Sequence, residues 1–373
     1  MQPHFLPDGR HYLFLAGPAQ AAVLSVGARD SAEAARRRLA GAPFPIAEQV
    51  TSSFFANFSA AGTRVLAYLG GAGGGNELRW CDREGKTAPA GPPQGYGDVR
   101  FSPDGKRVAL SIGDSSGGMT GRDIWLLEWG RNVRTKFTFD PGIETSPVWS
   151  PDGSRIAFAS GREGGLNLYV KAASGSGREE LLLKTEDSKF PADWSLDGRY
   201  LVYTAASRKT RQDIWMLPGP GVPGDRKPQV YLQTEFDESH ARISPDGKYL
   251  AYNSNESGRA EVYVRPFPDA TAGKWQVSSG GGGQPQWSRD GRELYYLGAN
   301  RRLMAAPVKT AAAFEVATPT PLFETSIPGN IAPTATHSTR YGVAPDGRFL
   351  VVSSSEGTDQ PMTIVLNWAP RGR

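Results

Sequence analysis

Phe101-Ser102-Pro103-Asp104-Gly105 returns as Trp149-Ser150-Pro151-Asp152-Gly153, Trp194-Ser195-Leu196-Asp197-Gly198 and Ile243-Ser244-Pro245-Asp246-Gly247, then as Trp287-Ser288-Arg289-Asp290-Gly291 and Val343-Ala344-Pro345-Asp346-Gly347. Two earlier copies, Phe5-Leu6-Pro7-Asp8-Gly9 and the worn Phe58-Ser59-Ala60-Ala61-Gly62, bring the number to eight. A type I turn favours Ser or Asp first, Pro second and Gly fourth. Pro sets φ in advance, Asp bonds nearby backbone N–H groups and Gly accepts positive φ. Each copy is therefore a hairpin corner. Successive glycines lie 53, 43, 48, 45, 49, 44 and 56 residues apart. A four-stranded propeller blade repeats at roughly 40–50 residues.

Apolar strands follow the corners: Arg107-Val108-Ala109-Leu110, Arg155-Ile156-Ala157-Phe158, Tyr200-Leu201-Val202-Tyr203 and Tyr249-Leu250-Ala251-Tyr252. After a polar, Gly-rich turn come second strands such as Asp123-Ile124-Trp125-Leu126 and Asp213-Ile214-Trp215-Met216, and a more polar strand such as Lys274-Trp275-Gln276-Val277 closes the unit. One such meander cannot bury both faces; radial packing in a closed ring can. The aromatic before each corner (Phe101, Trp149, Trp194, Trp287) is expected between blades. The fold class is thus an all-β propeller of four-stranded antiparallel blades, with eight blades expected and seven as the alternative count. Residues 1–373 form a single propeller in this reading, with 1–57 an irregular, composite first blade and 58–373 regular blades. The last unit offers strands only at Phe349–Ser353 and Thr363–Trp368. It is one strand short, so the ring is expected to borrow a strand from the N-terminal part.

Composition agrees. The 373 residues include 45 Gly and 29 Pro spread along the chain, as frequent tight turns require. A net charge of +4 is small for this length, and the one compact basic run, Arg36–Arg38, is no phosphate groove. Cys81 is the single cysteine, so no intrachain disulfide can form. No window approaches 18 apolar residues, and Met1 to Leu15 lacks the charged start and apolar run of an export signal. The partner expected is a protein or small ligand at a propeller face or the central channel, with no nucleic acid, no membrane insertion and a monomeric chain.

The repeat resembles the TolB-like, WD-related propeller repeat. Between about Tyr96 and Trp368 the chain also resembles the C-terminal propeller of bacterial, eukaryotic-like serine/threonine protein kinases. The matching segments are Arg122-Asp123-Ile124-Trp125, Lys136-Phe137-Thr138-Phe139-Asp140, Asp225-Arg226-Lys227-Pro228, Tyr252-Asn253-Ser254-Asn255-Glu256-Ser257-Gly258-Arg259, Lys274-Trp275-Gln276-Val277-Ser278 and Val365-Leu366-Asn367-Trp368. No His-Arg-Asp, Asp-Phe-Gly or Val-Ala-Ile-Lys kinase signature occurs. In the resembling proteins a kinase and a transmembrane segment precede the propeller, which implies an extracytoplasmic, periplasmic location. Ala16 to Thr51 looks shortened against that pattern, with Pro45–Val50 reading as a blade end.

Apparent catalytic motifs dissolve into turns. Gly113-Asp114-Ser115-Ser116-Gly117 fits G-x-S-x-G, but Ser115 sits between two strands of one blade, and a nucleophile elbow needs a strand leading into a helix. His4, His11, His240 and His337 stand in no motif. Gly70–Gly75 and Gly280–Gly283 lack the Gly-Lys-Ser/Thr and the helix of a phosphate loop. Asp104, Asp152, Asp197, Asp246, Asp290 and Asp346 come one per blade, whereas calcium needs six or more converging oxygens. One Cys and four scattered His lack zinc spacing. The expectation is a non-enzyme with no cofactor, no metal and no assigned site residue: a sensory or scaffold module related to a receptor-type kinase. The alternatives are a TolB-like envelope scaffold or an enzyme with a channel site built from several blades.

Overall fold

The computed structural model describes residues 76–113, 121–207, 211–311, 313–327 and 337–354 with their side chains; it adds, as backbone, His4–Phe5, His11–Ala16, Ala22–Ala28, Phe44–Val50, Phe58–Ala61, Val65–Leu69 and Met362–Leu366. An all-β propeller is present, and it has six blades, not eight or seven. Blade 1 runs inward to outward as Gly95–Phe101, Arg107–Gly113, Asp123–Glu128 and Val133–Lys136. Blade 2 comprises Glu144–Trp149, Arg155–Ser160, Asn167–Ala172 and Glu180–Leu183, and blade 3 Ser188–Trp194, Tyr200–Ser207, Arg211–Pro218 and Gln229–Leu232. Blade 4 is Glu238–Ile243, Tyr249–Ser254, Glu261–Pro266 and Trp275–Gln276. Blade 5 starts with Gly282–Trp287, Glu293–Gly298 and Arg302–Lys309, whose outer edge takes both Glu315–Val316 and Thr320–Glu324.

Blade 6 explains the lower count. Tyr341–Val343 and Phe349–Ser354 form its inner half, and Asn76–Cys81 and Thr87–Pro89 its outer half. The seam is antiparallel, from Phe349↔Cys81 to Ser354↔Asn76. Two strands from before blade 1 therefore complete the last blade, and the ring closes around the six later corner copies. Of the two earliest copies, Phe5 and Phe58–Ala61 fall in two further sheets, and the rest of each lies outside the described residues. The first holds His4–Phe5, His11–Ala16, Ala22–Ala28 and Phe44–Val50 in order; the second holds Phe58–Ala61, Val65–Leu69 and Met362–Leu366. The strand expected at Thr363–Trp368 as part of the last blade is thus Met362–Leu366, and it pairs with Val65–Leu69 instead.

Strand alternation drives the ring. On Tyr249–Ser254, Leu250 and Tyr252 pack with blade 3 residues Val202 and Ile214, while Tyr249 and Ala251 pack with Trp287 and Leu294 of blade 5. Period-2 side-chain alternation gives every blade two apolar faces. Six interblade cores result, one per junction; the last joins Leu78, Leu350 and Val352 to Tyr96, Val108 and Leu110 of blade 1. Trp149, Trp194 and Trp287 lie in these cores, and Phe101 packs against one. The Trp149 and Trp287 indoles also donate to Arg100 O and Arg242 O of the preceding blade, at 3.1 and 3.0 Å.

The corners hold more chemistry than turn propensity requires. In five blades the Ser hydroxyl donates to the Asp carboxylate two residues on, at 2.5–2.7 Å. It also accepts the N–H of the residue five positions later. Gly105 has φ +70 and lies so close to the Pro345 ring of blade 6 that a Cβ would collide with it. Pro103 and Pro245 touch Gly153 and Gly291 of their next blades more loosely, at ordinary van der Waals distance. The corner Pro thus serves the blade junction as well as its own turn.

Candidate functional site

Each inner strand of blades 1 to 5 carries a register shift before its corner aromatic or that residue's equivalent. The extra residue re-aims side chains toward the axis, as bulges do. Ser146, His240 and Gln284 sit at these bulges with φ of 53, 54 and 55°. Left-handed backbone at non-glycine residues costs of order 1 kcal/mol or more each and clusters at functional sites. Two levels of inner-strand positions follow. Nearer the corners are Arg100, Val148, Asp193, Arg242, Gln286 and Gly342; deeper are Asp98, Ser146, Pro191, His240, Gln284 and Arg340.

At the deeper level Asp98 joins three blades. Its Oδ2 accepts from Ser111 Oγ (2.7 Å), Thr145 Oγ1 (2.9 Å) and Ser146 N (3.0 Å), and its Oδ1 from Thr339 N (2.9 Å). Burial alone would raise this carboxyl, but these donors outweigh burial and hold it below the usual aspartate range. Gln284 Oε1 accepts from Arg340 N at 2.9 Å, and Tyr341 OH donates to Gln284 O at 2.9 Å.

At and below that level the axis is crossed by rings. His337, between blades 5 and 6, stacks on Phe190 of blade 3 with centroids 3.6 Å apart and 15° between planes. His240 lies parallel to His337 at 6.5 Å. Burial, then repulsion from His337 and Arg242, pulls His240 down to about 3, and burial pulls His337 down to about 4. Both rings are therefore neutral near pH 7 and act here as packing surfaces.

Nearer the corners a cavity of about 290 Å³ opens around the axis. Its floor includes Arg100, Asp193 and Gln286, its walls Phe101, Trp149, Trp194 and Trp287, and its rim Pro103, Pro151, Leu196 and Arg289. Leu196 and Arg289 occupy the corner position that is Pro in the other blades. Leu196 is 58% exposed. Arg289 donates across blade 6 to Pro103 O of blade 1. The two departures from the repeat thus stand together at one mouth.

The residues singled out from the sequence fall elsewhere or do structural work. Ser115, Arg36–Arg38 and Gly70–Gly75 lie outside the described residues, and for His4 and His11 only the strand backbone is described. Gly280 N and Gly281 N, in the connection from blade 4 to blade 5, do cradle an anion, the Glu261 carboxylate of blade 4, at 2.9 and 2.8 Å. Cys81 is buried in the core between blades 5 and 6, and burial pushes its thiol up to about 11. Among the described residues no group of three or more His, Cys, Asp or Glu side chains could hold a metal. Also among them, no helix is long and apolar enough to cross a membrane.

Two buried carboxyls begin the inner strands of blades 2 and 4. Glu144 accepts from Ser160 Oγ at 2.8 Å and Glu238 from Thr234 Oγ1 at 2.5 Å, yet burial pushes both up to about 7. An unfolded glutamate titrates near 4.3. The folded state therefore binds the extra proton between about pH 4 and 7, and stability falls across that window as pH rises. Replacing Glu238 by Gln is expected to stabilise the chain by about 2 kcal/mol at pH 8 and to change little near pH 4. Urea titrations at the two pH values check this.

Fold and site together define a six-bladed β-propeller whose variable chemistry is gathered on its axis. Residues 92–217 match PD40, the TolB beta propeller domain. The Tol-Pal system protein TolB of Francisella tularensis subsp. mediasiatica is 32% identical over 206 residues, which cover 54% of this chain and 45% of that protein. The uncharacterized peptidase YuxL of Bacillus subtilis is 26% identical over 193 residues, covering 42% of this chain and 29% of that protein. The chain thus spans less than half the length of these curated relatives. Among solved structures, the putative TolB from Agrobacterium tumefaciens superposes with a TM-score of 0.59 at 17% identity, covering 76% of this chain and 99% of that one.

Proposed function

We propose that this propeller is a non-catalytic scaffold of the TolB kind, working outside the cytoplasm, that seats a protein partner in the funnel at the corner end of its axis. The observation that carries this reading is the coincidence of the two repeat departures, exposed Leu196 and cationic Arg289, at the rim of one cavity. A position that is proline in the other four blades, and in three of them touches the next corner, is here released to the surface. Binding is favoured over catalysis because the reactive groups of the axis are committed. Asp98 is taken up by four donors, and His337 and Phe190 are stacked face to face. The relatives support a TolB-like scaffold better than a receptor-kinase module, since they include a Tol-Pal system protein TolB and a solved putative TolB. The peptidase relative matches over 29% of its length, and its activity is not carried over.

A photoreactive benzoylphenylalanine at Leu196, expressed in the native host, is expected to give one discrete protein adduct. The same group at Val230, exposed on the outer strand of blade 3, should give none. Equal labelling from both positions, or none from Leu196, overturns the proposal.

A further inference from the structure

Arg100 of blade 1 and Arg242 of blade 4 both donate to one carbonyl, Ala192 O, at 2.9 and 2.5 Å. Arg242 makes two further bonds, to Ala241 O and Thr339 Oγ1, and its Nε has no partner. Arg100 lines the cavity floor beside Gln286, whose Nε2 is also unpartnered. Among the described residues neither guanidinium forms an ion pair. Asp193 sits at the same level, but its two oxygens accept the backbone N–H groups of Trp194 and Ile243. Two guanidinium groups are therefore crowded onto one neutral acceptor at the base of a cavity. Burial, followed for Arg242 by repulsion from Arg100, lowers both, and the attraction of the Asp193 and Asp98 carboxylates offsets this only in part. Burying charge costs several kcal/mol per ion, and neither carboxylate touches these guanidinium groups to offset it. A carboxylate placed here would meet charge-assisted donors in the planar geometry that suits it.

The walls set what carries the carboxylate. Phe101, Trp149, Trp194, Trp287, Pro103, Pro151 and Leu196 make an apolar approach. The volume equals that of about ten waters, which admits a fragment of a chain and excludes a folded domain. We infer that the funnel recognises a carboxylate on a peptide segment of the partner, bound through Arg100 with Arg242 behind it and flanked by an apolar side chain against the tryptophans. This rests on the funnel being the partner site.

The test titrates three peptides into the 15N-labelled chain and follows the indole N–H signals. The peptides are Ac-Phe-Leu with a free C-terminus, Ac-Phe-Leu-amide, and Ac-Glu-Leu-amide. At least one acidic peptide is expected to shift the wall indoles and to bind at least tenfold more tightly than the neutral one. The two acidic arms separate a chain end from a side chain. Arg100→Gln should remove that preference and Arg100→Lys should keep much of it. Should the Arg100 variants fail to fold, raising sodium acetate in the unmodified chain should displace the acidic peptide, whereas sodium chloride at equal ionic strength should not. Neutral and acidic peptides binding alike, no peptide binding, or acetate and chloride acting equally overturns the inference. In those cases a Leu196 photo-adduct still upholds the scaffold reading, whose failure shows instead as loss of that adduct.

Discussion

Asp98→Ala should cost about 5 kcal/mol, enough to leave the ring marginal at room temperature. The single carboxylate serves four donors from blades 1 and 2 and from the segment entering blade 6, all buried. Each buried donor left unmade costs about 1–3 kcal/mol, and removing one member of a buried charged network costs about 3–5 kcal/mol. Asp98→Asn keeps the Thr339 contact available but sets an amide against the other three donors, so about half that loss is expected. The acid limb supplies a second readout. The folded carboxyl titrates below its unfolded value of about 3.9, so its stabilisation is complete above that pH and is lost as pH falls through the lower folded value. Urea unfolding from pH 7 to pH 3 should show a shallower acid limb in Asp98→Asn than in the unmodified chain. An Asp98→Ala loss under 2 kcal/mol at pH 7 would mean that Asp98 does not tie the blades.

The double substitution Glu77→Cys and Ser353→Cys should form a disulfide and stabilise the chain by about 4–5 kcal/mol. The two residues face each other across the seam of blade 6. The link encloses five blades, and closing a loop of a hundred residues or more removes chain entropy worth roughly that much. The measurement is a non-reducing gel shift after mild oxidation, followed by urea unfolding with and without reductant. In an eight-bladed ring Asn76–Cys81 would instead follow its chain neighbour Val65–Leu69, and the cysteines would remain apart. Failure to cross-link would therefore count against six blades, apart from any question of function.

What was legible in the sequence was local. The corner is encoded by four adjacent residues whose geometry has no competing use, and the strands behind it alternate cleanly. Those two signals identify a blade wherever it stands. The number of blades is decided by which strand pairs with Phe349–Ser354. Both Val65–Leu69 and Asn76–Cys81 are suitable β segments, and nothing within either states its partner. Counting repeats therefore gave eight where ring closure gives six. The axis was hidden for a related reason. An inner-strand bulge changes which residues face inward, so alternation read along the strand misplaces them. His240 and His337, nearly a hundred residues apart and in no motif, become parallel rings only in the closed ring. Leu196 and Arg289 were in plain view as substitutions within the corner. Nothing in the repeat marks them as a pair, while the structure makes them part of the rim of one cavity.

The seam of blade 6 also sets a schedule for biosynthesis. Asn76–Cys81 and Thr87–Pro89 leave the ribosome before blade 1, but the partner strand Phe349–Ser354 is made some 270 residues after Asn76–Cys81. At about 5–20 residues per second that is a wait of roughly 10–50 s. Throughout it the hairpin has its partner edge unfilled, and an unpaired edge invites the wrong strand. Five blades can stack as they emerge, yet the nascent chain stays an open arc until its last inner strands appear. Stalled or prematurely terminated translation should then yield a sticky, chaperone-dependent arc, and a circular permutant that begins at blade 1 would let the hairpin follow its partner and shorten that exposure.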